Sequence, residues 1–431
     1  MNIRLLPPDG ILETTIDLPL SKSVSARALV INALTQPQAV IRPEDIAQCD
    51  DIAALILALG SDHGAISVGA SATAMRLLTA YYAARRGSDV TLGGTESLNA
   101  RPVAILVDAL RALGADISYM GAEGYPPLAI KGKDLSGGSI TIDATESSQH
   151  VSALMLIAPL LAEPLQITLA GNAVSMPYIR MTAQMMERCG VAVTIERDVI
   201  TIEPMAYRAP STPLRERDWS AAAFWYEIAA VTAGWVTLRG MHHKALQGDA
   251  AIADIFPRLG VLTEWTDEGA ELSATPDLYT RLDLDVSDIP DTVPALVATC
   301  CLIGVPFTLK GVGRLRIKES DRVGALIAEM AKIGCPLTME GSDTLVWEGT
   351  RLPITEMPVF DSHGDHRIAM ALAAVSCFVP GIIIKGAEAV SKSYPDFWAD
   401  MQEAGFTIAD ADADAPDNAR EDTTGEEAPQ A

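Results

Sequence analysis

The chain has 431 residues, of which 49% are hydrophobic, and a formal charge of −24, so it can bury more than one core and is a poor partner for nucleic acid or an anionic membrane. Any anion it binds has to be held by a local cluster of cations. The six cysteines show no CxxC spacing and read as small core residues of a reducing compartment, which points to the cytoplasm.

At the N-terminus MNIRLLPPDG reaches two prolines before an apolar stretch of useful length, which argues against a signal peptide. Residues 2–18 read as two strands around PPDG, with no helix. The next stretch, SKSVSARALVI at 21–31, sets Lys22 and Arg27 among serines where a helix begins. Serine is an ordinary cap there, but a cation beside the positive end of a helix is unfavourable unless an anion offsets it. The stretch is therefore either a capped, solvated turn or an anion site.

Similar stretches recur along the chain. SSQ at 147–149 precedes the apolar run VSALMLIAPLL, and SMPY at 175–178 sets Ser175 and Tyr178 about a proline suited to a first helical turn. RLRIKESDR at 314–322 gathers Arg314, Arg316, Lys318 and Arg322 around Glu319 and Asp321. GDHRIAM puts Arg367 at a helix start, and VSKSYPDF puts Lys392 before another. Taken singly each reads equally well as a cap or a solvated face; the repetition favours anion binding. His363 and His366 have no third ligand nearby, so a metal site is not expected, and His366 reads as an orienting hydrogen-bond partner. The apolar run 368–384 is broken by Ser376, Pro380 and Gly381 and reads as a buried helix and a strand.

Glycines at 60, 114, 190, 260, 334 and 405 each close a helical pattern, where positive φ suits a helix end, and suggest repeated α/β units. After Gly405 too little chain remains to finish the last unit, and the N-terminal strands can complete it. One domain, 1–19 with 217–409, would then be split by an inserted domain, 20–216. Residues 410–431 carry eight acidic residues against one arginine and no aromatic, the composition of a disordered, solvating tail.

The stretches LSKSVSARAL, GASATAMR, LNARPVAILVDALRALGA, SSQ, SMPY, IPD, RIKESDR, GDHR and SKSYPD, in that order, resemble the successive signatures of the EPSP synthase (3-phosphoshikimate 1-carboxyvinyltransferase) family. The resemblance implies an α/β fold of two domains, each of three βαβαββ units with the helices gathered inside, an inside-out α/β barrel. It implies transfer of the enolpyruvyl group of phosphoenolpyruvate to the 5-hydroxyl of 3-phosphoshikimate, releasing phosphate, by a monomer that needs no metal or other cofactor. By the same resemblance Lys22, Ser23, Arg27, Ser147, Ser148, Gln149, Ser175, Tyr178, Asp291 and Lys318 hold 3-phosphoshikimate. Lys22, Ala72, Arg101, Gln149, Arg322, Arg367 and Lys392 hold phosphoenolpyruvate. Lys22, Asp291 and Glu319 are the catalytic groups, and the cations meet about six negative charges if each phosphate carries roughly −2.

Two rivals remain at this point. The sister enzyme that acts on UDP-N-acetylglucosamine carries asparagine after the first lysine and a cysteine in a mobile loop; here Ser23 follows Lys22 and residues 69–130 hold no cysteine. A non-catalytic anion-binding homologue would need the cations without Asp291 and Glu319. The chain departs from the family pattern at Leu20, Ala70, Ala72, Leu77 and Arg314, where glycine, asparagine, glycine, proline and asparagine are usual. Glyphosate occupies the phosphoenolpyruvate site in this family, close to the position of Ala72. A methyl forced into a filled space weakens binding by roughly five- to 150-fold. Ala72→Gly is therefore expected to make the enzyme more sensitive to glyphosate at equal phosphoenolpyruvate saturation; an unchanged inhibition curve would clear the methyl of any role.

Overall fold

The computed structural model describes residues 1–35, 41–171 and 175–412; most of the acidic tail, from 413 on, lies outside the described residues. β1 (Asn2–Leu6) and β2 (Glu13–Ile16) flank PPDG, and α1 (Lys22–Thr35) and α2 (Asp50–Leu59) follow. One pattern then recurs: strand, helix, strand, helix and two further strands. It runs first through β3 (His63–Ser67), α3 (Ala72–Ala84), β4 (Asp89–Gly93), a short α4 (Glu96–Asn99), α5 (Ala104–Ala112), β5 (Asp116–Tyr119) and β6 (Leu128–Lys131). It runs again through β7 (Gly138–Asp143), α6 (Ser148–Ile157), β8 (Leu165–Ala170), α7 (Met176–Arg188), β9 (Val193–Glu196) and β10 (Val199–Ile202).

The third round is divided, because β2 is separated by some two hundred residues from α8 (Trp219–Thr232), β11 (Trp235–Arg239), α9 (Ile252–Ile255), β12 (Leu259–Trp265) and β13 (Gly269–Leu278). The fourth comprises β14 (Leu282–Asp285), α10 (Val293–Ile303), β15 (Phe307–Lys310), α11 (Arg322–Ala331), β16 (Thr338–Glu340) and β17 (Thr344–Trp347). The fifth comprises β18 (Val359–Asp361), α12 (His366–Ala373), β19 (Ile382–Lys385), α13 (Phe397–Glu403) and β20 (Thr407–Asp410), and lacks a fourth strand of its own. β1 fills that place, antiparallel to β19 through Ile3↔Ile384 and to β20 through Ile3↔Asp410.

Each round forms a four-stranded sheet with one strand order: first, second, fourth, third. The first two strands are parallel, which requires a helical crossover, and the last two are antiparallel. The helices lie behind the sheets: α8, α10 and α12 pack on one another and are buried along most of their lengths. Two apolar cores result. One combines Ile3 to Leu18 with Trp219 to Phe406; the other is built from Val24 to Leu214 with Leu246. The molecule is a two-domain α/β protein, and the chain passes between the cores at the Leu20–Arg217 bridge.

Two of the six glycines depart from the helix-end reading. Gly60 ends α2 with φ −77°, so that position needs no left-handed residue, and Gly260 (φ +87°) lies at a register shift inside β12. Gly114, Gly190, Gly334 and Gly405 have positive φ after α5, α7, α11 and α13. Run 368–384 contains most of α12, a 3-10 turn and most of β19, and no described helix is long and apolar enough to cross a membrane. The cysteines are free, and all but the half-buried Cys377 are buried.

Within α8, Glu227 is wholly buried and neither carboxylate oxygen has a hydrogen-bond partner among the described residues. Burial pushes its pKa well above the ordinary 4.5. The folded protein then keeps a proton that the unfolded chain releases, so this contribution to stability is lost as pH rises above the ordinary range. Glu227→Gln is expected to be more stable than the natural chain near neutral pH, by about 1.4 kcal/mol for each pH unit over which Glu227 stays protonated, with the gap closing in acid. Denaturant titrations at several pH values check this; a pH-independent gap would contradict it.

Candidate active site

The strand-to-helix connections bring helix N-termini from both domains to one cleft. The first turns of α1, α3, α6, α7, α11 and α12 all contribute lining residues. Their caps are local and legible in the sequence: Ser71 accepts from Ala74 N (3.3 Å), Ser147 from Gln149 N (3.3 Å), Asp321 from Gly324 N (2.9 Å) and Asp365 from Arg367 N (2.9 Å). The partial positive charge at these helix N-termini makes the cleft positive even before side chains are counted.

Carboxylates hold the cations in place. Asp291 spans two guanidinium groups, Oδ1 to Arg322 Nη1 and Oδ2 to Arg367 Nη2, both at 2.9 Å. Arg322 is 1% exposed and also pairs with Asp365 and Glu319, each at 2.7 Å. Burial would raise the pKa values of Asp291 and Glu319. The arginines outweigh it, aided by Lys318 at Asp291 and by Arg101 and Lys22 at Glu319, and hold both groups well below the ordinary range. Both are therefore ionised.

On another wall, Asp51 bridges two lysines, Lys22 at 3.0 Å and Lys392 at 3.2 Å. Burial works against the charge of Lys22, but Asp51 and Glu319 raise its pKa overall. Lys392 also donates to the Ala70 carbonyl (2.8 Å), and Ser391 donates to Asp50 (2.5 Å), so the two domains touch here. They touch again where the Tyr178 hydroxyl donates to Asp291 (3.3 Å) and Asp249 (3.4 Å), and where Arg101 donates to the Ile317 carbonyl (3.3 Å). Burial, then the nearby Asp291, pushes Asp249 up to about 7.

Residues 58–401 match the family described as EPSP synthase (3-phosphoshikimate 1-carboxyvinyltransferase). The chain belongs to the EPSP synthase family. A 3-phosphoshikimate 1-carboxyvinyltransferase from Bacteroides fragilis is 43% identical over 407 residues, covering 94% of this chain and 98% of the relative. One from Methanosphaerula palustris is 31% identical, covering 94% and 99%. The solved structure of an EPSP synthase from Acinetobacter baumannii shares the fold, with a TM-score of 0.73 at 22% identity over 95% of this chain and 100% of that one.

Of the residues that the EPSP synthase signatures single out, Lys22, Ser23, Ala72, Arg101, Ser147, Ser148, Gln149, Ser175, Tyr178, Asp291, Lys318, Glu319, Arg322 and Arg367 line the cleft together. Arg27 and Lys392 are not among the lining residues. Arg27 is buried behind the wall, donating to Thr182 Oγ1 (2.7 Å), Ser152 Oγ (3.0 Å) and the Ser23 carbonyl (3.0 Å), and so fixes the wall from behind. Lys392 faces Asp51. His366 lines the cleft, but among the described residues its ring nitrogens have no hydrogen-bond partner, contrary to the orienting bond read from the sequence. Among the described residues no group of three or more His, Cys, Asp or Glu side chains could hold a metal.

The signatures left Asp51, Thr73, Arg76 and Glu146 without roles, although all four line the cleft. Arg76 donates to His150 Nε2 (3.1 Å) and to Gln149 Oε1 (2.7 Å), while Gln149 donates to Thr73 (3.0 Å), which locks the amide. GASATAMR contains Arg76, and a cation one turn into a buried helix was the available signal; Asp51, in QCDDI, carried only that of a helix-start acid.

Lys318 lines the cleft without an ion pair among the described residues, and burial lowers its pKa to about 8 even though Asp291 opposes the shift. It is a cation at neutral pH and loses its charge as pH rises. Binding of 3-phosphoshikimate, followed by calorimetry across a pH series, is expected to weaken above about pH 8 by up to about ten-fold per unit, with Lys318→Arg keeping its affinity. A natural enzyme and an arginine variant with the same profile would remove Lys318 from the ligand.

Proposed function

We propose that the chain transfers the enolpyruvyl group of phosphoenolpyruvate to the 5-hydroxyl of 3-phosphoshikimate, giving 5-enolpyruvylshikimate 3-phosphate and inorganic phosphate, a step towards chorismate and the aromatic amino acids. The observation that carries this reading is the pairing, in one cleft, of cations from both domains with two ionised carboxylates, Asp291 and Glu319. Cations alone would bind two anions. Two held bases beside them support proton transfer as well.

In the addition step the hydroxyl oxygen bonds to the substituted carbon of the enol, and the hydroxyl proton passes by way of a carboxylate to the methylene carbon, which becomes a methyl. Expulsion of phosphate with loss of a proton from the new methyl restores the enol ether. Asp291 and Glu319 take and return those protons, and Lys22 assists the departing phosphate. Ser23, Ser147, Ser148, Ser175, Tyr178 and Lys318 hold 3-phosphoshikimate with Arg27 behind them. Arg101, Arg322, Arg367 and Lys392 clamp phosphoenolpyruvate near Ala72, and Gln149 lies between. Since these cations neutralise the phosphates, the reaction calls for no metal or other cofactor.

The finer architecture belongs to the same reading: six βαβαββ units, three per domain, with the helices innermost. Five four-stranded sheets of one order among the described residues support it; in this reading α1 and α2 belong to the sixth unit, and residues 36–40 between them lie outside the described residues. Domain limits of 1–19 with 217–409, around 20–216, agree with the two apolar cores. A cytoplasmic monomer that binds neither nucleic acid nor membrane is consistent with the charge of −24.

Ser23 after Lys22 and the relatives' names favour 3-phosphoshikimate over the UDP sugar as acceptor. The test is phosphate release from phosphoenolpyruvate with each acceptor in turn; release with the UDP sugar alone, or with neither, would overturn the reading. Lys22→Met and Glu319→Gln should each fold and lose about 10²- to 10⁴-fold in turnover, and a near-normal rate in either would sink its role.

A further inference from the structure

His363 does not line the cleft, yet its backbone has φ +53°, in the left-handed region that suits glycine, and Gly364 follows with φ +65°. A side chain other than glycine holds that conformation at a cost, and it persists where surrounding contacts over-determine it. Here they do. Asp361 Oδ1 accepts from His363 N (2.6 Å), the Ser362 carbonyl accepts from Asp365 N (2.9 Å), and Ser362 Oγ donates to the Gly386 carbonyl (2.9 Å). The His363 ring, about one third exposed, meets α11: Nε2 lies 2.9 Å from Oε1 of the buried Glu329. Glu329 Oε2 accepts from Lys332 Nζ (2.6 Å) and from Asp361 N (3.1 Å), so one carboxylate of α11 holds both ends of the dipeptide step that bends the chain.

The same helix grips this turn a second time, through Arg322 and Asp365 at 2.7 Å. Arg322 and Glu329 are seven residues apart, which puts them on one face of α11 and about 10 Å apart along its axis. A single contact would let α12 pivot against α11, whereas two contacts at that separation fix both distance and angle. That relation decides where two guanidinium groups stand, because Arg322 opens α11, Arg367 lies in the first turn of α12, and Asp291 spans the two at 2.9 Å each. We propose that His363 is a positioning residue for the reaction: pinned to Glu329, it holds the turn 361–365 so that Arg322 and Arg367 keep the spacing that phosphoenolpyruvate needs. It touches neither substrate. The proposal rests on the reading above that these two arginines clamp phosphoenolpyruvate.

The test compares the natural enzyme with His363→Gly and His363→Gln. Glycine adopts this φ freely but lacks the ring, so the turn can form without its pin; glutamine brings an amide donor to about the place of Nε2. The measurements are KM for each substrate, calorimetric titration of phosphoenolpyruvate alone and of 3-phosphoshikimate alone, and melting curves. His363→Gly is expected to melt close to the natural enzyme and to raise the KM and the dissociation constant for phosphoenolpyruvate about ten-fold, because small displacements of a clamp are costly. Its dissociation constant for 3-phosphoshikimate should stay within about two-fold, and His363→Gln should recover most of the loss. Unchanged binding of phosphoenolpyruvate in His363→Gly overturns the proposal. So does an equal loss for both substrates with a lowered melting temperature, which is what a merely structural contact would give, or a loss that glutamine does not restore. If the natural enzyme shows no turnover, the functional reading falls, whereas the titrations with phosphoenolpyruvate still decide whether His363 positions the clamp.

Discussion

The positive ends of helices from both domains face one another across a single cleft, and most features of the site follow from that arrangement. Helix N-termini gathered in this way repel one another and the cations among them, so the unliganded protein needs internal anions. Asp51, Asp291, Glu319 and Asp365 provide them, and each is held by a lysine or an arginine rather than by water alone. Substrate anions therefore enter a site in which some of the cations, Lys22, Arg322 and Arg367 among them, are already paired, while Lys318 has no ion pair among the described residues.

This electrostatic economy explains how so acidic a chain can use anionic substrates. The excess negative charge of the whole molecule acts at long range, where salt screens it, while the cleft acts at hydrogen-bond distance in a partly buried setting where screening is weak. Arg322 is the extreme case, since three carboxylates surround it and its pKa is raised although burial opposes this. A guanidinium so heavily paired serves to fix Asp291 and Glu319 as much as to meet a ligand.

What could be read from the sequence divides along physical lines. Helix starts announce themselves locally, through a cap and the residues beside it, so α1, α6, α7 and α12 and the lining residues at their first turns were all legible. The closure of the last sheet by β1 was legible too, because the count of strands after Gly405 came up short. Contacts between residues far apart in the chain were not: the link from Asp51 to Lys392 spans more than three hundred residues and has no local signature. Arg27 illustrates a different limit, for a cation at a helix start reads as a ligand whether it faces the cleft or is buried behind its wall. Glu227 left no trace at all, since a lone glutamate in an apolar helix looks the same whether it reaches solvent or not.

The place of β1 between β19 and β20 has a consequence for how the molecule is made. The inserted core draws nearly all of its residues from one continuous stretch and has them when the ribosome has passed residue 214. The other core must wait, because the first strand synthesised finds its two neighbours only among residues 382–410. Throughout that interval β1 keeps both edges open, whereas β2 can pair as soon as β11, at 235–239, has been made, so the nascent chain carries an unpaired strand at its very beginning. The domain that supplies Asp291, Glu319 and Arg322 is thus the last part to become complete, and a chain cut short before β20 lacks a finished wall of the cleft.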